Sequence, residues 1–116
     1  MDPDALLMAE FSEGALIRGD EAFFDLKTAE AVVDYCEAHN LAISGMEGVT
    51  VEAGGLRPRL DCIADFSRDP GSSWEETVTK WDEGARRVLE AWEDTCPDVR
   101  VSMTVMSPEE WSQPTP

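Results

Sequence analysis

Lysine is nearly missing from this chain. Lys27 and Lys80 are the only two, and with seven arginines they face 25 acidic residues, for a formal net charge of −16 over 116 residues. Such a charge repels nucleic acid and anionic membrane surfaces, so neither is expected as a partner. Long apolar runs are also missing. No stretch approaches the ~20 residues of a membrane helix. The opening MDPDALLMAEF has neither the basic start nor the unbroken apolar stretch of a signal peptide. Cysteine is scarce: Cys36, Cys62 and Cys96 are too few for a disulfide framework, and an odd count cannot pair completely. Cytoplasm is the expected compartment. There is no CxxC pair, P-loop, Rossmann glycine pattern or serine elbow. The chain is therefore not expected to be an enzyme, and no catalytic residue, metal ligand or cofactor is assigned.

What is present is a core. Four Trp, four Phe and one Tyr supply bulky anchors, and this length suits one domain. Asp2-Pro3 reads as a helix start, with the helix running from Pro3 to about Phe11 and closing near Gly14. Ala15–Ile17 fits a short strand or a turn, and Gly19–Asp25 a loop that docks Phe23 and Phe24. Leu26–His39 places Ala29, Val32, Val33 and Cys36 on one helical face, and Asn40 stops it. The period then becomes alternating. Leu41–Gly45 and Val49–Ala53 read as strand, interrupted at Gly45 and Gly48. Arg59–Phe66 is a strand with Leu60, Cys62, Ala64 and Phe66 on one face.

Ser73-Trp74-Glu75-Glu76 fits a capping box. It opens a long helix whose Trp74, Val78, Trp81, Ala85, Val88, Leu89 and Trp92 form one stripe. Val99–Val105 alternates as a last strand, Trp111 is an exposed contact or a lid, and residues 113–116 are a loose tail. The expected fold is one α+β domain over residues 1–112, a small antiparallel sheet of three to four strands with two main helices on one face.

Charge is uneven over this plan. Residues 1–40 hold ten acids and two bases, residues 41–72 five and three, residues 73–116 ten and four. On the long helix, Glu76 and Lys80, Asp82 and Arg86, and Glu83 and Arg87 are spaced to pair at i,i+4, whereas Glu30 and Asp34 are like charges at that spacing. Uncompensated acid is therefore expected in the N-terminal third.

Three constellations carry candidate chemistry. Cys36 and His39 lie three apart on one helix, but a zinc site needs Cys62 and Cys96 as well, and cysteines on apolar faces act as small hydrophobes. His39 at a helix end reads as a cap. Asp61 and Asp65 share a strand face on either side of Ile63, with Glu52 on the neighbouring strand. Those carboxylates have the oxygen chemistry of a Mg²⁺ or Ca²⁺ site, or of acid–base work. On a sheet covered on one face only, they form instead an open, solvated face. Ile63 in their midst is an anchor for a basic partner, which makes Glu52, Asp61, Ile63 and Asp65 the expected contact residues.

The segments AVVDYCEAHN, LAISGMEGV, LDCIADFS and SSWEETVTKWDEGARRVLEAW, spanning Ala29 to Trp92, resemble one group of bacterial immunity proteins. These neutralise the toxins of polymorphic and contact-dependent systems, and the group is the one catalogued as immunity family forty. The resemblance implies tight binding to a cognate toxin by occlusion, with no chemistry from this chain and no site residue carried over. The residues themselves also admit a second expectation: a small domain whose acidity is adaptation to salt or to solubility, with no toxin partner.

Overall fold

Ser73 decides where the long helix starts. Its backbone is extended and its hydroxyl accepts the Glu76 N–H at 3.1 Å, the cap that the sequence predicts. The expected box closes differently. The Glu76 carboxylate takes the Ser72 hydroxyl at 2.6 Å, a short charge-assisted bond that occupies the group meant for the Ser73 N–H. In the computed structural model, which describes residues 3–112, this helix is α3, Trp74–Thr95. The Asp2 cap and the tail from Gln113 to Pro116 lie outside the described residues.

The stripe is buried as the spacing predicts: Trp74, Val78, Trp81, Ala85, Leu89 and Trp92 all lie in the core, and Val88 is half-buried. Two indole N–H groups find carbonyls, Trp74 at Asn40 (3.1 Å) and Trp81 at Asp69 (3.1 Å), so the apolar ring is buried without stranding its polar edge. The smaller helix, α2 (Leu26–Ala38), starts at Asp25, whose carboxylate accepts the Thr28 N–H at 2.8 Å. It ends where Asn40 adopts a left-handed φ of 60°. The Leu41 N–H then reaches back to the Cys36 carbonyl and the Asn40 N–H to that of Glu37, the paired bonds that close a helix end.

The sheet has five strands, not three to four. In chain order they are β1 (Ala15–Arg18), β2 (Glu21–Phe24), β3 (Ala42–Glu52), β4 (Gly55–Asp65) and β5 (Arg100–Met106). Their spatial order is β1-β2-β5-β3-β4 and every pairing is antiparallel. The segment read as a loop from Gly19 is thus a turn followed by β2. Its strand joins β5 through Phe24 opposite Val101, helped by Arg100 donating to the Phe23 carbonyl and Ser102 to Glu21. β3 is also continuous where two glycines were expected to break it. Gly48 is there for close approach: a Cβ at that position would lie 2.7 Å from the Cβ of Cys62. Gly84 of α3 likewise lies under the Phe66 ring.

Helices α2 and α3 pack on each other and on one face of this sheet. Ile43, Met46, Cys62, Val101, Met103 and Val105 join the buried faces of both helices and Leu7 of the first helix, α1 (Pro3–Glu10), in one core. Ala42, Trp74, Val78 and Trp81 form a second, smaller cluster beside it. Trp111, on the short α4 (Pro108–Ser112), stacks over that cluster at 5.6 Å from Trp74 and 6.5 Å from Trp81. It is a lid that remains 36% exposed.

One residue of the stripe's helix departs from expectation. Asp82 was to pair with Arg86; instead it is fully buried, and its Oδ1 accepts the Ile43 N–H at 2.9 Å. β3 bulges between Ile43 and Gly45, and β4 ends at Asp65, just before Phe66, whose N–H donates to the Ser44 carbonyl. Asp82 serves the backbone donor beyond that point. Its Oδ2 has no hydrogen-bond partner among the described residues. Burial pushes its pKa up to about 7, with the Ile43 N–H and Arg86 opposing and Glu37 assisting.

A raised carboxyl pKa means that the folded state holds a proton which the unfolded chain has lost. The associated stability is intact below about pH 4 and disappears as pH rises through about 7, on the order of 4 kcal/mol across that window. Asp82→Asn keeps an acceptor for the Ile43 N–H and removes the ionisation. Thermal melts of the two proteins should nearly coincide at pH 4 and separate progressively towards pH 8, with the variant the more stable. Parallel pH profiles would contradict this account.

Candidate functional site

Exposed apolar side chains are concentrated on one element. Of the large hydrophobic residues left in solvent, Leu60 (86% exposed), Ile63 (54%) and Val51 (49%) all belong to the β3–β4 hairpin. Leu60 was expected to face the core beside Cys62. The reason it does not is register. Glu47 pairs with Ile63 and Val49 with Pro58, so Gly48 alone stands opposite Arg59–Cys62. That bulge turns Leu60 outward while Cys62 still reaches the core. It also blunts β4, an edge strand of the sheet, as does Pro58.

The four expected contact residues fall into two neighbouring shallow depressions. Glu52 and Asp61 line one, with Thr50 and Arg57; Ile63 and Asp65 line the other, with Glu47. Glu47 had not been singled out, although it lies directly across from Ile63. Only the cross-strand register reveals it.

Each of the three carboxylates has an arginine within the hairpin region. Arg59 grips Asp61 through two bonds of 3.1 and 2.9 Å, Arg57 lies 3.5 Å from Glu52, and Arg68 lies 3.8 Å from Asp65. The Arg59 hydrogen bond holds the Asp61 carboxyl below its usual range, and the Ser67 hydroxyl (2.6 Å) with the Ser67 N–H (3.0 Å) does the same for Asp65. Both stay ionised and geometrically fixed at neutral pH. Among the described residues no group of three His, Cys, Asp or Glu side chains is arranged to hold a metal ion. The hairpin therefore exposes single apolar side chains, Leu60 in one depression and Ile63 in the other, each among charged neighbours.

The acid excess lies on the helices. Lys80 pairs with Asp69 (2.9 Å) and not with Glu76; Arg86 crosses to α2 and holds Asp34 (2.9 Å) and Glu37 (3.1 Å); only Glu83–Arg87 (2.9 Å) forms as spaced. Cross-helix geometry wins for Arg86 because two carboxylates converge on one guanidinium, while Asp82 is taken by the backbone. Thus Asp34 and Glu37, in the acid-rich N-terminal third, have a counter-ion from α3. Among the described residues Glu30 gains none: a hydrogen bond with Glu93, then burial and the charges of Glu93, Glu90 and Asp34, push its pKa up.

The remaining sequence candidates resolve as structure. The His39 ring stacks on Tyr35 at 3.9 Å and its Nδ1–H donates to the Tyr35 carbonyl at 2.9 Å, a helix cap. Cys36 is buried on α2, and Cys62 meets Cys96 rather than His39. No protein-family model matches the chain, nor does any curated protein or solved structure.

Arg86 is thus the cation that lets two acidic helices lie side by side. Arg86→Met keeps the aliphatic stem and removes the charge. It should lower the melting temperature by a few degrees, about 1 kcal/mol, and the loss should shrink in about 1 M salt as the acids are screened. A salt-independent loss would assign the effect to packing.

Proposed function

We propose that this chain is a binding protein that neutralises a basic protein effector by covering its working surface, in the manner of an immunity protein. The observation that carries the reading is the exposure of Leu60 and Ile63 on the hairpin, Leu60 with Glu52 and Asp61 in one depression and Ile63 with Glu47 and Asp65 in the other. Apolar side chains inside a polar rim are the anatomy of an interface with a few strong central contacts. The net charge of −16 acts at longer range. It draws a basic partner in and speeds encounter, while adding little to the contact itself. Occlusion asks nothing catalytic of the chain. The resemblance of residues 29–92 to immunity proteins supports the same role.

The test is a protection assay. Where a toxin-like gene lies immediately beside its own, the chain is co-expressed with it and growth is scored. Wild type should protect. Leu60→Asp and Ile63→Asp, both on exposed positions, should each weaken binding of the purified effector by on the order of 10- to 100-fold with unchanged melting temperature. Binding by wild type should weaken as salt rises, chiefly through a slower on-rate. Protection that survives both substitutions would remove the hairpin from the interface. Lack of any toxin-like neighbour, together with stability that climbs steadily with salt, would favour acidity as solvent adaptation.

A further inference from the structure

Cys62 and Cys96 come from different layers of the fold. Cys62 is on β4 at the hairpin bulge and Cys96 is the residue that ends α3. Their sulfurs lie 2.8 Å apart, and the residues are 0% and 3% exposed. Two thiol sulfurs that close are already inside van der Waals contact; a disulfide needs them at about 2.05 Å. The placement is built from three independent features. The four-residue bulge carries Cys62 inward, Gly48 leaves room for its Cβ, and Pro97 stops α3 so that Cys96 turns towards the sheet. Cys36, the third cysteine, is buried on α2.

We propose that Cys62 and Cys96 are a redox-modifiable dithiol that closes into a disulfide under peroxide, stapling the hairpin to the end of α3. The oxidant is hydrogen peroxide. The Cys96 sulfur attacks one peroxide oxygen: an S–O bond forms, the O–O bond breaks, and the other oxygen leaves as water with the proton that the Cys96 thiol gives up. The product is a sulfenic acid on Cys96. The Cys62 sulfur then attacks that sulfur, the S–S bond forms, the S–O bond breaks, and the hydroxyl departs with the Cys62 proton as a second water. Two electrons pass from the sulfurs to the peroxide and two waters result. Burial and the neighbouring thiol push Cys62 up to about 12, which keeps it a protonated, unreactive thiol towards outside reagents; the sulfur held 2.8 Å away is what commits it to the second step.

The experiment uses the intact folded chain. It is exposed to hydrogen peroxide, blocked with iodoacetamide under denaturing conditions, digested with trypsin without reductant, and mapped by mass spectrometry. The expected product links the peptides Leu60–Arg68 and Val88–Arg100, leaves Cys36 alkylated, and reverts with dithiothreitol. The oxidised protein should melt higher by on the order of 10 °C, because the staple closes a long loop in the unfolded chain. Cys96→Ser should abolish the linkage and leave Cys62 alkylated. The proposal is overturned if peroxide leaves all three cysteines alkylatable, if it carries Cys96 to sulfinic acid in place of the linkage, if Cys36 enters the bridge, or if the linkage forms only in urea-unfolded protein.

Discussion

The indole seam of α3 is the constraint on which the other elements depend. Trp74, Trp81 and Trp92 are too large to bury against a single neighbour, and the first two also direct separate parts of the chain. The N–H of Trp74 fixes the turn after α2 at Asn40, and that of Trp81 fixes the loop before α3 at Asp69. Asp82, one position beyond Trp81, reaches the bulge in β3. A single helix thereby sets the end of α2, the approach of its own N-terminus and the register of the central sheet.

Acid excess and exposed apolar side chains lie on different surfaces. The helical layer carries uncompensated acid, held tolerable by Arg86 between Asp34 and Glu37, and where Glu30 meets Glu93 the Glu30 pKa is pushed up. The hairpin pairs its carboxylates locally with arginines and exposes Leu60 and Ile63. Long-range attraction needs only net charge, and a tight contact needs apolar area with few unpaired charges at its centre. The two demands conflict on one surface and coexist on two.

Much of this was legible before the fold. The Ser73 cap, the buried stripe, the Asn40 stop and the outward Ile63 follow from local chemistry, which spacing reports directly. The misreadings share another origin. β1 and β2 are four residues each, too short to show a period, and their ribbon is tied to the rest of the sheet by β5, far away in sequence. The outward turn of Leu60 follows from a bulge that only the pairing of Glu47 with Ile63 and Val49 with Pro58 defines. Asp82 and Arg86 sit at ideal helical spacing, yet each finds a better partner on another element. The Cys62–Cys96 meeting likewise joins residues that no spacing rule connects. Local rules described elements and caps; the exposure of Leu60 and the ion pairs of Arg86 are set by register and by helix crossing.

The position of β5 in the sheet has a consequence for how the chain is made. β5 comes last of the strands in sequence, yet it lies between β2 and β3, so it alone joins the β1–β2 ribbon to the hairpin. A nascent chain emerging from the ribosome can form α2, the hairpin and α3 while the sheet is still two separate pieces. The hairpin's exposed leucine and isoleucine are then accompanied by an unfilled central slot, bordered by the free edge of β3. The final strand enters that slot and joins both pieces at once, a late, long-range step of the kind that slows folding and rewards a chaperone's protection in the interval.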